Sequence, residues 1–460
     1  MIKRSIKQLS EMFQFDQKVL DAFGDTDIQG VCIDTRKLQK GNLFIPFKGE
    51  KIDGHTLVKD AFEKGAAAAL WEKDVPNPPQ DVPILLVESS MEAVQELSKS
   101  YRNQLDLKVV GVTGSNGKTT TKDMIAAVLG TGFKVQKTEG NYNNHLGLPL
   151  TLLSIEEDTK AVVLEMGMSA RGEIEFLTKL ARPDIAVITN IGESHLQDLG
   201  SREGIAEAKL EIALGLGEEG TLVYFGDEPL LQERLQGSLP YKLQSFGQSE
   251  NNDVYPVQVD STADGNHFRV NINPDIEFFV PVMGIHNVMN AISAVIVGSK
   301  LGLDLEKIKT GLAGLKLTAM RMEKVAGING SVIINDAYNA SPTSMRAAIN
   351  LAEEQTGLGK KYLVLGDMLE LGDKEKEFHL QTGREIDPEK ITEVFTYGER
   401  GLWIAEGARE RFGEKRVHAS LDKEPLIEEL KSKVQEKDFI LVKASRGMKL
   451  EDIVHALESK

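Results

Sequence analysis

Short apolar runs recur along the chain, and stretches with apolar residues at helical spacing lie between them. The clearest runs cover residues 109–112, 161–165, 185–190, 332–335 and 439–443. Runs of this length predict buried strands, whereas the helical spacing predicts amphipathic helices. Because strands that alternate with helices usually pair in parallel, the pattern predicts an α/β fold with mostly parallel sheets.

The same pattern divides the chain into three predicted domains, at residues 1–105, 106–318 and 319–460. In the first domain it predicts helices at 5–13, 56–64 and 91–104, and strands at 30–34, 42–47, 66–71 and 84–87. In the middle domain a helix is predicted at 201–216 and a weak antiparallel excursion at 229–282. In the last domain Ser341 and Pro342 suit the start of a helix, as N-cap and first helical residue.

A glycine-rich turn follows the apolar run at 109–112 and precedes a helical stripe of Met124, Ile125, Val128 and Leu129. This strand, turn and helix form the setting of a phosphate-binding loop, whose backbone N–H groups surround an anion at a helix N-terminus. The candidate nucleotide-binding residues are Gly114, Ser115, Asn116, Gly117, Lys118, Thr119 and Thr120. Val112 stands where the common pattern has glycine. The alternative is an ordinary glycine turn before a helix.

Composition restricts the partners and the compartment. The 460 residues carry a formal charge of −16, which argues against a nucleic-acid-binding protein. The single cysteine, Cys32, allows no disulfide within the chain and fits a cytoplasmic protein. Its apolar neighbours favour a small buried residue over a nucleophile. Polar residues near the N-terminus argue against a signal peptide, and no apolar run is long enough to span a membrane.

Several polar residues fall directly after predicted strands, where ligands of open parallel sheets bind. Glu165 and the Thr119 hydroxyl suit Mg²⁺, which prefers oxygen ligands, and His195 is a softer ligand or a hydrogen-bonding group. The alternatives are that Glu165 caps a helix and that His195 is an ordinary satisfied histidine. Arg321 suits phosphate charge and Asp336 suits ribose hydroxyls.

Asn287 and Asn290 lie one turn apart on a predicted helix and could together face an adenine or ribose. Asparagines at such positions are also commonly capping or solvated groups, and that alternative stays open.

The motifs together resemble those of the Mur ligase family, the peptidoglycan-precursor amino-acid ligases. The matching stretches come in the family's order and cover nearly the whole chain: residues 113–120, 140–149, 165–167, 190–195, 208–212, and His286-Asn287 with Asn290. The family also accepts Val112. Within it, residues 336–342, 366–372, 445–448, 34–36 and 53–55 resemble the member that adds D-alanyl-D-alanine. Thr35 stands where serine is common and keeps the hydroxyl.

The resemblance implies a first domain that holds a UDP-sugar peptide, a middle domain that holds ATP, and a Rossmann-like last domain that holds the incoming dipeptide. The substrates would be UDP-N-acetylmuramoyl-tripeptide and D-alanyl-D-alanine, and ATP would convert the carboxylate to an acyl phosphate. Substrate-binding residues would be Thr35, Arg36, Asn141, Asn144, Asn339 and Ser341. A cytoplasmic monomer is expected.

The resemblance also implies the catalytic roles. Lys118 would neutralise the β and γ phosphates, Thr119 and Glu165 would hold one Mg²⁺, and His195 would help to hold a second. The lysine that matches Lys209 is carbamylated in this family, which makes it an anionic metal ligand. From the residues alone, Lys209 would instead be a solvated helix lysine between Glu207 and Glu211.

Three other functions compete with this reading. A P-loop regulator or motor would hydrolyse ATP without ligation, but it would need neither residues 140–149 nor residues 336–342. A non-catalytic binding homologue is disfavoured by the intact Lys118, Glu165 and His195. A ligase that extends folate with glutamate is disfavoured by the motifs that precede the phosphate loop.

Overall fold

The structure is a computed structural model that describes residues 1–49, 52–262 and 264–459. Its contacts divide the chain into two compact units, and both include separate stretches of chain. The first unit comprises Met1–Val112, Gly132–Ala186 and Glu211–Thr221, and the second comprises Thr113–Thr131, Val187–Leu210 and Leu222–Lys460. The three predicted domain boundaries stay a prediction.

The N-terminal stretch forms two small sheets in the first unit. Its strands are β1 (Lys3–Ser5), β2 (Asp27–Gln29), β3 (Val31–Cys32), β4 (Leu43–Phe44), β5 (Ala68–Glu72) and β6 (Ile84–Val87). Its helices are α1 (Ile6–Leu9), α2 (Val19–Phe23), α3 (Val58–Glu63) and α4 (Ser90–Gln104). β1 pairs antiparallel with β2, while β3, β4, β5 and β6 form a parallel sheet in that order. The sheet's apolar residues, including Phe44 and Trp71, pack against α3.

Several elements of this stretch are shorter than predicted. The helix predicted at 5–13 is the single turn α1, because Ser5 caps it and the chain leaves the helix at Ser10. The strands predicted at 30–34 and 42–47 each contribute only two paired residues. The strand predicted at 84–87 is confirmed, because β6 begins and ends at the same residues.

The middle stretch builds a six-stranded sheet. Its strands are β7 (Lys108–Thr113), β8 (Val135–Lys137), β9 (Ala161–Glu165), β10 (Ile185–Ile188), β11 (Thr221–Phe225) and β12 (Lys242–Phe246), in the order β12-β11-β10-β7-β9-β8. The accompanying helices are α5 (Lys118–Leu129), α6 (Gly147–Ser154), α7 (Glu173–Ala181), α8 (Leu196–Leu199), α9 (Arg202–Leu210) and α10 (Pro229–Arg234). Parallel pairing of β7 with β9 and of β8 with β9 confirms the predicted sheet type.

The predicted antiparallel excursion is a separate sheet in the second unit. β13 (Pro256–Thr262), β14 (Gly265–Val270) and β15 (Asn273–Val280) pair antiparallel in chain order. The prediction began too early, because α10 and β12 occupy its first third. The helices α11 (Ile285–Lys300) and α12 (Leu305–Ala313) follow. The helix predicted at 201–216 ends at Leu210 and continues as a 3-10 turn.

The last stretch forms a second six-stranded sheet. Its strands are β16 (Glu323–Ala326), β17 (Val332–Asp336), β18 (Lys361–Gly366), β19 (Glu393–Tyr397), β20 (Val417–Ser420) and β21 (Phe439–Lys443), in the order β16-β17-β21-β18-β19-β20. Its helices are α13 (Pro342–Glu354), α14 (Glu375–Glu385), α15 (Gly401–Phe412), α16 (Lys423–Lys433) and α17 (Glu451–Leu457). All neighbours pair in parallel except β16, which is antiparallel to β17.

Two apolar clusters cover opposite faces of this second sheet, because alternate strand residues point to opposite sides. Ile334 and Leu363 belong to the cluster with α13, whereas Ile333 and Val364 belong to the cluster with α16 and α17. No helix in the described part of the chain combines the length and apolar character that crossing a bilayer demands.

Candidate functional site

The glycine-rich turn before α5 lies in the second unit and has an open helix start. Gly117 is the N-cap residue at φ +80°, and no side chain among the described residues caps this helix. The amides of Ser115 and Asn116 donate to the backbone oxygen and side-chain oxygen of Asn190, both at 3.0 Å. A glycine turn that leads directly into a helix start is the arrangement that binds phosphate.

Gly114 cannot be replaced without moving its neighbours. Its φ is +148°, and a Cβ built there would lie 1.9 Å from the Thr189 hydroxyl oxygen. Glycine is therefore required both by the backbone conformation and by the close approach of the strand end after β10.

Lys118 and Thr119 begin α5, and both face the turn. The Lys118 ammonium donates to the backbone oxygens of Gly114 at 2.7 Å and Ser115 at 3.3 Å, so it lies over the turn. The Thr119 hydroxyl accepts a hydrogen bond from the Arg321 guanidinium at 3.2 Å. Arg321 also lies 4.1 Å from the ring centre of Tyr338, and this cation–π contact holds the guanidinium beside the turn.

A cavity of about 320 Å³ adjoins the turn, entirely within the second unit. It brings together most residues predicted to bind nucleotide. The predicted residues on its wall are Ser115, Asn116, Gly117, Lys118, Thr119, Thr120, Asn287, Asn290, Arg321 and Asp336. Gly114 is not among the residues that line this cavity. Apolar residues such as Phe225, Ile285 and Met289 also line the cavity, which suits a ligand with both a flat apolar ring and phosphates.

Asn287 and Asn290 are buried, so they are not the solvated helix residues of the alternative interpretation. The Asn290 amide donates to the Asn287 side-chain oxygen at 3.1 Å, and the Asn287 amide donates to the Met283 backbone oxygen at 2.8 Å. Burial lowers the pKa of neighbouring His286, which is therefore neutral at neutral pH. These contacts fix the amide orientations on the cavity wall.

Asp336 and Lys443 end two neighbouring parallel strands and face each other in the register of β17 and β21. The Lys443 ammonium donates to the Asp336 carboxylate and, at 3.0 Å, to the Asn339 backbone oxygen. The Asp336 carboxylate also accepts a hydrogen bond from the Met322 amide at 3.2 Å. Both charged groups are buried, and both line the large cavity.

A second cavity of about 120 Å³ lies in the same unit and is lined by His195, Asn339, Ser341, Glu370 and Arg446, among others. The Nδ1 atom of His195 lies 3.1 Å from the Glu370 carboxylate but makes no hydrogen bond with any described residue. Burial, with the charges of Lys118 and Lys209, lowers the pKa of His195 to about 4. His195 is therefore neutral at neutral pH.

Lys209 is 1% exposed, so the interpretation of a solvated helix lysine is wrong. That alternative arose because Glu207 and Glu211 flank Lys209 in the chain, yet a helix directs such neighbours to other faces. Glu207 lies 3.6 Å from Arg234, and the Glu211 carboxylate accepts the Gly172 amide. Burial and the Lys118 charge lower the pKa of Lys209 well below its usual value, which favours the neutral amine.

Glu165 belongs to the first unit, at the end of β9. It is almost completely buried and accepts a hydrogen bond from the Asn143 side-chain amide at 2.8 Å. The Thr138 hydroxyl lies 3.0 Å from the Glu165 backbone amide and accepts its hydrogen bond.

The first unit has its own cavity of about 430 Å³, between the end of β3 and the residues that follow β8. Asp34, Lys37, Lys137 and Tyr142 line it, and so does the partly buried Cys32. Of the residues predicted to bind substrate in this unit, none is on its wall. The Arg36 guanidinium bonds to both oxygens of Asp34, at 2.8 and 2.7 Å, and lowers the pKa of that carboxyl to about 2.

The other predicted substrate residues have identifiable local roles. Thr35 is buried, Asn141 is exposed, and the exposed Asn144 accepts the amides of Leu146 and Gly147 at the start of α6. In the second unit, Ser341 caps α13 and donates to the Asn116 side-chain oxygen at 3.1 Å. Asn339 lines both cavities of that unit.

Among the residues that position these sites, Lys443, Asn143 and Asn190 were not predicted. Lys443 was the last residue of a predicted strand, and its position there could have revealed it. Asn143 lies inside a matching stretch of the sequence but its contact with Glu165 depends on the fold. Asn190, which positions the phosphate loop, likewise follows a predicted strand.

The donor atoms present bear on the predicted Mg²⁺ site. No three His, Cys, Asp or Glu side chains gather as a metal site within residues 1–49, 52–262 and 264–459. The predicted ligands instead combine a threonine hydroxyl, a glutamate, a histidine and a modified lysine. The neutral imidazole of His195, whose buried Nδ1 atom makes no hydrogen bond to a described residue, fits a metal ligand.

Comparison with known proteins gives consistent matches along the chain. Three protein-family models match: "Mur ligase family, catalytic domain" at residues 27–102, "Mur ligase middle domain" at 112–298, and "Mur ligase, glutamate ligase domain" at 320–446. The chain is 53% identical over 457 residues to UDP-N-acetylmuramoyl-tripeptide--D-alanyl-D-alanine ligase of Bacillus subtilis, covering 99% of both chains.

Two solved structures are similar to this chain over almost its full length. MurF from Acinetobacter baumannii has a TM-score of 0.87 at 29% identity, covering 99% of this chain and 98% of that one. MurF ligase from Thermotoga maritima in complex with ADP has a TM-score of 0.81 at 30% identity, covering 93% and 96%. The fold class predicted from the sequence is thereby confirmed.

Proposed function

Because the chain belongs to the Mur ligase family, we propose that it joins D-alanyl-D-alanine to UDP-N-acetylmuramoyl-tripeptide and consumes ATP. The observation that carries the proposal is the full-length similarity to the Bacillus subtilis ligase of that name. The cavity beside the phosphate loop supports the nucleotide part, and the ADP complex of the Thermotoga maritima protein agrees with it.

The chemistry requires activation of a carboxylate, which is a poor electrophile. One carboxylate oxygen of the tripeptide attacks the γ-phosphorus of ATP, giving an acyl phosphate and ADP. The dipeptide amine then attacks the acyl carbon, and phosphate leaves as the amide forms and a proton is released. No protein nucleophile is needed, so the chain's part is to align the reactants and to stabilise phosphoryl charge.

The second unit supplies much of this stabilisation. The open start of α5 and the Lys118 ammonium would receive the phosphates, Asn287 and Asn290 would meet the base or ribose, and Asp336 would accept from ribose hydroxyls. Arg321 would add positive charge near the phosphates. In the first unit, substrate-binding roles of Thr35, Arg36, Asn141 and Asn144 stay predictions.

Mg²⁺ belongs to the proposal, with Thr119 and Glu165 as predicted ligands of one ion and His195 and a carbamylated Lys209 as predicted ligands of another. The metal would screen the repulsion between anionic reactants. A neutral, buried Lys209 amine is the form that reacts with CO2, giving a carbamate and releasing one proton. A cytoplasmic location and a monomeric state remain part of the proposal.

The choice of acceptor tests the proposal directly. Phosphate release would be measured with ATP, Mg²⁺ and UDP-N-acetylmuramoyl-tripeptide, adding D-alanyl-D-alanine, L-lysine, diaminopimelate or glutamate in turn. D-Alanyl-D-alanine should be used far better than the others. Preference for any single amino acid would assign the chain to another member of the family, and ATP hydrolysis that ignores all acceptors would contradict ligation.

The Lys209 carbamate has a separate test. Lys209→Ala should lose most activity, because one anionic ligand is removed, and a short carboxylic acid should partly restore it by occupying the vacated position. Lys122→Ala is a control, since Lys122 is a fully buried lysine on α5 that the mechanism does not use. Lys209 would be removed from the catalytic residues if Lys209→Ala stayed active, or if the carboxylic acid raised the activity of both variants equally.

A further inference from the structure

Two strand ends of the second unit form a wall shared by its two cavities. β17 and β21 are adjacent, parallel and in register, so their last residues, Asp336 and Lys443, lie side by side. Both residues line the cavity beside the phosphate loop. The residues that follow each strand, Asn339–Ser341 and Ser445–Gly447, line the smaller cavity. The ion pair therefore lies where the nucleotide cavity and the smaller cavity meet.

The Lys443 ammonium has two partners with different functions. It contacts the Asp336 carboxylate on the nucleotide side and donates at 3.0 Å to the Asn339 backbone oxygen in the turn that borders both cavities. Lys443 is 2% exposed and Asp336 is 8% exposed, so water competes little for either group. A buried charge pair of this kind is strongly coupled to the positions of its partners.

We propose that Lys443 is a positioning residue that fixes the Asp336 carboxylate for ribose and the Asn339 turn for the incoming dipeptide. Only the part of this proposal that concerns the incoming dipeptide rests on the proposed function. With one carboxylate oxygen held by Lys443 and another accepting the Met322 amide, Asp336 has a single orientation toward the cavity. Removing the ammonium leaves a buried, uncompensated carboxylate and a turn without its side-chain donor.

The nucleotide half is tested by equilibrium binding of ADP, 2′-deoxyADP and 3′-deoxyADP to the full chain. In the unchanged protein, loss of a ribose hydroxyl that donates to Asp336 should weaken binding about tenfold, as expected for a hydrogen bond to a charged group. In Lys443→Met this difference should fall below about threefold. If Lys443 instead contacts phosphate directly, its loss would weaken the binding of all three ligands equally. Their affinity ratio would then stay unchanged, and this result would overturn the proposal.

Lys361→Met is the matched control. Lys361 begins the neighbouring strand β18 and donates to three backbone oxygens, those of Ala352, Glu353 and Gln355, at 3.0, 2.9 and 2.6 Å. It lines neither of the two cavities described for this unit. Its loss should change stability but keep the ribose discrimination. If Lys443→Met does not fold, the same measurement is made on Lys443→Gln, which keeps an N–H donor without the charge.

The acceptor half is tested by kinetics with D-alanyl-D-alanine. The KM for the dipeptide should rise about tenfold in Lys443→Met relative to Lys361→Met. An unchanged KM would overturn this half. If the unchanged protein does not use the dipeptide, the proposed function fails, but ADP binding still decides whether Lys443 acts through Asp336. The part of the proposal that concerns the nucleotide would be overturned by either of two results. One is that Lys443→Met and Lys443→Gln still prefer ADP over its deoxy analogues as strongly as the unchanged protein does. The other is that the unchanged protein shows no such preference.

Discussion

The turns before α5 and α13 both lie in the second unit, yet their helix starts have opposite hydrogen-bonding states. At α5 the N-cap is Gly117, which has no side chain that could cap the helix. At α13 Ser341 accepts the Ser344 amide, the Ser344 hydroxyl accepts the Ser341 amide, and Pro342 removes one further donor. The first helix start has no side-chain cap of its own, which suits an anion, whereas the second is capped by its own serine side chains.

This difference shows why strand, turn and helix alone do not identify a phosphate site. The residue at the N-cap decides whether the helix amides are available. α13 nevertheless borders the nucleotide cavity through Thr343 and Ser344, so it contributes shape and hydroxyl groups there.

The largest expected effect comes from removing the charge at the open helix start. Lys118→Ala should lower turnover roughly 10²-fold or more, because a preorganised cation no longer stabilises phosphoryl charge. Steady-state kinetics of phosphate release would measure it, and thermal unfolding should be nearly unchanged. Near-normal ligation by this variant would show that the phosphate-loop assignment is wrong.

The next effect depends on the glycine conformation. Gly117→Ala should weaken ADP binding about tenfold, because φ of +80° disfavours alanine and its Cβ would lie 3.0 Å from the Asn290 side-chain oxygen. Gly172→Ala is the control, since Gly172 caps α7 at φ +84° with open space around it. Equal binding losses in both variants would indicate a general effect of strain.

The smallest effect concerns the capped helix. Ser341→Ala should lower the free energy of unfolding by about 1 kcal/mol, through loss of the N-cap, and leave ADP binding almost unchanged. Ser89→Ala at the start of α4 removes an equivalent cap and should cost a similar amount. A large loss of ADP affinity in Ser341→Ala alone would show that its contact with Asn116 holds the phosphate loop.

The sequence predicted the elements whose signals are local. Continuous apolar runs gave β9 and β21 at both ends, and serine followed by proline gave the start of α13. Edge and short strands were predicted too long, because pairing depends on the partner strand. β3 and β4 pair over only two residues although the apolar runs around them are longer.

The motifs named candidate site residues, but they did not predict which of these residues contact each other. The nucleotide residues came from motifs, and the fold gathers most of them around one cavity. The residues alone would make Lys209 a solvated lysine, and only the family motif placed it in the site, because burial depends on packing between helices that neighbouring residues do not report. Lys443 was missed, since its partner Asp336 lies 107 positions away in the chain.

That separation also has a consequence for how the protein is made. β21 is inserted between β17 and β18, which therefore remain apart until it has been synthesised. Such non-local, parallel pairing is slow to form, because a long loop must close before any contact compensates for the lost entropy. A growing chain would carry its phosphate loop long before Lys443, and would meet cellular ATP with an unfinished nucleotide wall.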